Sequence, residues 1–277
     1  DPVKHTRTVI NPKLSERDKS SVSLPSYLIV RDSFIASGNH RYAIRYHLAP
    51  GCLAFATENH VSVREPGGLR LNITVFGPSR LRARINKSWV SRAYGQRERS
   101  LVVVFEASGD GTQEFTTFII PASEGQSIAV EQQRSDYPGS QVVQVVSEGM
   151  RDVFLSSSDS RPIRCGALAA AGSFAWARFE DSAFSQGFLI HGQRLETSDG
   201  FVFRAASPVN HCFLRRTMEG VEGSINGSEV FSLGIGEQSK NFVIGGVGIE
   251  VTQPGMPFAS EDSMLNVINT TSSEAIN

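Results

Sequence analysis

The sequence predicts an all-β chain, a large two-sheet antiparallel β-sandwich of the super-sandwich type. Three observations carry this reading. Short β-branched or aromatic runs recur between Gly, Pro, Asn and Asp turns, one segment alternates strictly between apolar and polar residues, and helical signals are nearly absent. At 277 residues and 40% hydrophobic content, the chain has enough apolar surface for a large core.

Residues 27–30 form an apolar run that follows Pro25. From His40 to Leu48, Tyr42, Ile44, Tyr46 and Leu48 fall on one face, while Arg41, Arg45 and His47 fall on the other. Ala49-Pro50-Gly51 ends this half-buried strand, because proline donates nothing to a ladder. Pro66-Gly67-Gly68 separates strands at 61–63 and 69–75, which read as a hairpin with Leu69, Leu71, Ile73 and Val75 on one face. A loop containing Gly109-Asp110-Gly111 lies between runs at 101–105 and 115–120, and Asp199-Gly200 and Asn226-Gly227 are further turns. Later strands are expected at 141–146, 151–155, 174–179, 187–190, 200–204, 229–233 and 242–251. Residues 167–171 have helix-forming composition but are too short for a helix without tertiary support, so they read as strand or turn.

No repeat and no Pro- or Ser-rich linker divides the chain, so one domain is expected over 1–255. The polar segment 256–277 reads as a disordered tail. Lys and Arg number 27 against 28 Asp and Glu, a balance that gives no field favouring nucleic acid. No apolar run approaches the roughly 20 residues of a membrane-spanning helix, and no membrane insertion is expected. Cys52, Cys165 and Cys212 show no short-range pairing and read as three buried thiols, with one disulfide and one free thiol as the alternative. The sequons at Asn72, Asn86, Asn226 and Asn269 carry little weight.

Phosphate-loop, GxSxG and HExxH patterns are absent, and the glycines of 245–248 read as a bulge or close packing within a strand. His5, His40, His47, His60, His191 and His211 show no metal-ligand spacing, so no cofactor is expected in this chain. Asp159, Glu180, Asp181 and Glu196 are candidate acids, yet they read as turn residues because sequence provides no distance between any two carboxylates. Arg45 and His47 share a polar face that could meet a carboxylated or sulfated sugar. A solvated sheet face is the competing reading. Tyr94 and Arg97 offer the amphipathic ring and planar donor fork common in sugar sites, against a packing role at a strand end.

Taken in order, His40-Arg-Tyr-Ala-Ile-Arg-Tyr-His-Leu-Ala-Pro-Gly51, Ser91-Arg-Ala-Tyr-Gly-Gln-Arg97 and Glu114-Phe-Thr-Thr-Phe-Ile-Ile-Pro121 resemble the C-terminal β domain of heparinase II/III-like polysaccharide lyases. His5-Thr-Arg-Thr-Val9 and Tyr27-Leu-Ile-Val-Arg-Asp32 resemble the lead-in to that first strand, so the likeness spans about the first 120 residues. The resemblance implies a periplasmic or extracellular parent in which an N-terminal α/α toroid precedes the sandwich. Such a parent cleaves an acidic, uronate-containing polysaccharide by β-elimination and can carry a structural zinc. The family's His-x-Asp-like, Asp-Pro-Gly and His-Asn-Thr elements have no matching positions, so no catalytic residue is carried across. The expectation is therefore the C-terminal portion of a lyase, inactive as an isolated chain. A free-standing carbohydrate-binding or structural sandwich is the alternative.

Overall fold

The computed structural model describes residues 2–12, 27–78, 80–122, 127–135, 137, 139–217, 220–227, 230–235, 238–243, 249–251 and 266–272. Every regular element among them is a β-strand, and every pairing is antiparallel. The first strands are β1 (Lys4–Asn11), β2 (Leu28–Ile35), β3 (Asn39–His47), β4 (Leu53–Thr57) and β5 (His60–Arg64). They are followed by β6 (Arg70–Phe76), β7 (Arg82–Val90), β8 (Glu98–Asp110) and β9 (Gln113–Ala122). Next come β10 (Ala129–Gln133), β11 (Ser140–Ser147), β12 (Met150–Ser157), β13 (Pro162–Cys165), β14 (Leu168–Glu180) and β15 (Ala183–Thr197). The remaining strands are β16 (Phe201–Thr217), β17 (Gly220–Asn226), β18 (Val230–Ile235), β19 (Gln238–Val243), β20 (Ile249–Val251) and β21 (Asn266–Ser272).

The expected all-β class is the one observed. The chain forms two compact units, residues 1–126 with 265–277 and residues 127–264, where the sequence suggested one domain over 1–255. The connection at 123–128, Ser-Glu-Gly-Gln-Ser-Ile, contains two serines and a glycine but is too short to stand out from the other turns as a linker by composition. Within the segment expected to be a disordered tail, residues 266–272 pair along β1 as β21.

In the first unit, a seven-stranded sheet ordered β21-β1-β2-β9-β6-β5-β4 shares a core with a three-stranded sheet ordered β3-β8-β7. Tyr42, Ile44, Val103 and Phe105 come from the smaller sheet, and Val61, Val63, Ile73, Val75 and Phe115 from the larger. This is the two-sheet sandwich the alternation in β3 anticipates. The hairpin at Pro66-Gly67-Gly68 closes with Glu65 N–H donating to the Leu69 carbonyl at 2.9 Å. Leu69 itself lies outside the strand and is exposed, whereas Val75 is fully buried. The Asp32 carboxylate is also fully buried. It accepts hydrogen bonds from Arg7 Nε at 2.6 Å and Nη2 at 3.1 Å and from His5 Nε2 at 2.7 Å, while the His5 ring stacks on Phe34.

The second unit is a single eleven-stranded sheet. Its long strands β14, β15 and β16 each serve two groups of neighbours. The first half of β14 pairs with β13 and the second half with β12, while the first half of β16 pairs with β18 and the second with β17. Register shifts at Ala171/Gly172 and Gly192/Arg194 mark the change. Both halves contribute to one cluster, with Val153, Leu155 and Phe179 from one and Leu195, Phe203 and Phe231 from the other. The sheet therefore folds over its own core. A Cβ on Gly192 would lie 2.5 Å from the Ala171 carbonyl oxygen and 2.8 Å from the Gly172 Cα, so this crossing requires glycine. Residues 167–171, read as strand or turn, comprise a turn residue and the start of β14. The glycines of 245–248 lie outside the described residues. The three cysteines are free, with Cys212 buried and its thiol pushed well up by burial.

Asp152 and Arg178 face each other across β12 and β14, and both side chains are fully buried. Two bonds join them, Nε to Oδ1 at 2.8 Å and Nη2 to Oδ2 at 2.7 Å. Removing one partner leaves the other charge in a low-dielectric interior. Asp152→Ala is expected to lower unfolding stability by about 3–5 kcal/mol in urea titration. A loss under about 1 kcal/mol would show that the site admits water. Gly192→Ala is expected to cost roughly 1–3 kcal/mol by the same measurement, since the clash is with backbone. An unchanged midpoint would mean that the crossing relaxes.

Candidate anion-binding site

β8 is the centre of the three-stranded sheet, and its register assigns each neighbouring side chain to a face. Phe105 lies opposite Ile44 of β3 and Ala83 of β7 on the core side. The intervening residues point outward. Glu106 is opposite Ala43 and Arg82, Val104 opposite Arg45 and Arg84, and Val102 opposite His47 and Asn86. Arg41 sits one outward position before Ala43. The outer face is therefore basic, with Glu106 near its centre and Glu98 and Asp110 in the same phase at the two ends of β8.

At one end of this face, a groove of about 540 Å³ is lined by Asn39, Arg41, Arg80, Arg82, Arg84, Glu106, Ala107 and Ser108. Arg41 Nη2 donates to Glu106 Oε2 at 2.8 Å, and Arg84 Nε approaches the same oxygen at 3.7 Å. The Arg41 and Arg84 side chains remain 67% and 57% exposed, so their forks are not used up by Glu106. The hydrogen bond from Arg41 is the main reason the Glu106 carboxyl is held below the usual carboxylate range. The charges of Arg41, Arg84 and Arg45 add to it, against a desolvation effect that acts in the opposite direction. Arg80 enters the groove from a left-handed backbone, with φ at 71°, which is uncommon for a side chain other than glycine.

Arg45 and His47 both lie on this exposed outer face. Arg45 acts on Glu106 through its charge, and His47 Nδ1 is 3.5 Å from Ser88 Oγ at the far end of the sheet. Tyr94 and Arg97 are not brought to the groove. Tyr94 is fully exposed on the β7–β8 loop, and the Arg97 guanidinium stacks on Trp89 at 4.3 Å from the ring centroid. Trp89 shares the alternation phase of Ala83 and Ile85, opposite to that of Arg82 and Arg84. Sequence reasoning passed over β7, although Leu81, Ala83 and Ile85 alternate with Arg82, Arg84 and Asn86 at the period of a half-buried strand.

The carboxylates considered as candidate acids sit in turns and ion pairs. Asp181 occupies the β14–β15 turn with positive φ, beside Glu180, which accepts from Ser185 Oγ. Asp159 accepts from Ser157 Oγ and the Arg161 backbone. Glu196 is held by Arg194 and Arg204 and kept below the ordinary range, first by the Arg194 hydrogen bond. Tyr46, near Asp32 and Arg7, is pushed up to about 12, chiefly by burial. Among the described residues no three His, Cys, Asp or Glu side chains could hold a metal ion.

The groove presents four guanidinium forks around one carboxylate, an arrangement suited to bidentate contacts with carboxylate or sulfate groups. The family model described as Heparinase II/III-like, C-terminal, matches residues 1–130. No curated protein matches the chain. The match ends close to the boundary of the first compact unit at 126. Residues 1–130, just under half of the chain, carry the arginine groove and are similar to the Heparinase II/III-like C-terminal family.

Proposed function

We propose that this chain is the β-sandwich portion of a polysaccharide lyase acting outside the cytoplasm on uronate-containing chains, and that its part in that activity is to hold the acidic chain. The observation that carries the reading is the convergence of Arg41, Arg80, Arg82 and Arg84 on one groove. An anionic polymer gains from such a face because its charges recur at intervals, and several forks can be engaged at once. Exposed guanidiniums act through screened electrostatics, so the interaction depends on ionic strength.

The groove binds without eliminating. β-Elimination needs a base to remove the proton next to the carboxylate and an acid for the leaving oxygen. Glu106 is the carboxylate in the groove, and Arg41 makes it a weaker base than usual. Tyr46 is shifted away from the range in which a phenol exchanges its proton near neutrality. An N-terminal α/α toroid supplies the acid and base in this proposal. The alternative role, a carbohydrate-binding module without chemistry of its own, draws on the same groove. The toroid's presence in the parent gene distinguishes the two.

Retention of the chain on an immobilised uronan is expected to fall steadily as salt rises from about 50 to 500 mM. The double variant Arg82→Ala/Arg84→Ala is expected to lose at least about tenfold in affinity while its urea midpoint stays within error, because both side chains are exposed. Equal retention of wild type and variant would rule out the groove. Incubation of the chain with alginate or heparan is expected to give no ultraviolet absorbance from unsaturated product. Turnover comparable to an intact lyase would overturn the binding-only role.

A further inference from the structure

Glu106 stands on the central strand with Arg41 on one flank and Arg82 and Arg84 on the other, so any anion held by those forks lies close to a second negative charge. We infer that Glu106 is a charge-density filter, narrowing the advantage that densely sulfated chains would otherwise have in this groove over chains with one carboxylate per residue. This rests on the groove being the acidic-chain site.

The argument is one of unequal scaling. Attraction to the arginines and repulsion from Glu106 both grow with ligand charge, but Glu106 also neutralises part of the field by pairing with Arg41 at 2.8 Å. Each additional charge within a Debye length of about 8–10 Å therefore meets a groove with less net attraction than its four guanidiniums would provide alone. A sparse uronan places single carboxylates in the forks and keeps the rest of its charge away from Glu106. A sulfated chain cannot keep its charges apart in this way. The Arg41 hydrogen bond holds the Glu106 carboxyl below the usual carboxylate range, so it is charged at neutral pH and the filter operates there.

Glu106→Gln tests the idea, because glutamine keeps an oxygen that can accept from Arg41 while the charge is lost. Titration calorimetry would compare an alginate tetrasaccharide with a heparin-type tetrasaccharide, using wild type, Glu106→Gln and Glu106→Ala. Both variants are expected to tighten the sulfated ligand more than the unsulfated one, by about threefold for each additional charge near 7 Å from the carboxylate in a water-like dielectric. Equal gains for the two ligands would overturn the filter and leave the groove reading intact. Weaker binding of both ligands by Glu106→Ala, with Glu106→Gln near wild type, would instead make Glu106 a positioning residue for Arg41 and Arg84. If wild type binds neither tetrasaccharide, the groove reading falls and the filter with it.

Discussion

A strand sends successive side chains to opposite faces, so a slip of one residue in the pairing of β3 or β7 with β8 would exchange core for surface. Phe105 holds that register. It is fully buried between Ile44 and Ala83, with Tyr46 edge-on at 6.3 Å, and a one-residue slip would put the smaller Val104 or the charged Glu106 in its place. The positions of Arg41, Arg82, Arg84 and Glu106 follow from this packing. The groove is thus the solvent side of a core decision. Its precision comes from apolar residues that never touch a ligand.

The second unit solves a different problem. A single sheet with three long strands would expose a wide apolar face, and folding the sheet at Gly172 and Gly192 lets its two ends bury that face against each other. Phe184 and Phe201, which begin β15 and β16, stack at 4.1 Å within this core. At the β15–β16 turn, Asp199 accepts from the Phe184 backbone N–H, from Thr197 and from Arg216, so one turn carboxylate ties several strand ends together. The buried Asp152–Arg178 pair adds directional constraint in a region otherwise dominated by interchangeable aliphatic and aromatic contacts.

Much of this was readable from local pattern. The alternation from His40 to Leu48 locates both the core face and the arginine face of β3, and the glycine turns at 68, 111 and 200 all adopt the positive φ that their hairpins require. The groove was harder to read because it is assembled from distant segments. Arg41 and Glu106 are 65 residues apart, and nothing local indicates that they meet. Tyr94 and Arg97 are adjacent to the right strands in sequence, but their loop and the Trp89 stack carry them elsewhere. The division into two units was obscured for a related reason: the polar connection Ser123-Glu-Gly-Gln-Ser127 is no longer than an ordinary turn, and strand-forming runs resume directly after it. The ion pairing of Asp32 is not legible locally, since its partners Arg7 and His5 lie across a strand pairing.

β7 is the last strand of its sheet, and an unpaired strand edge is a template on which a second copy can build. Ala83 N–H is already donated to the Glu58 carbonyl, and the exposed Arg82, Arg84 and Lys87 place repeated positive charge along the remainder. Two copies meeting edge to edge would bring these like charges into register. The arginines that line the groove therefore also make edge-to-edge pairing through β7 unfavourable, so the charge that suits the face to an acidic ligand is the same charge that blunts the edge.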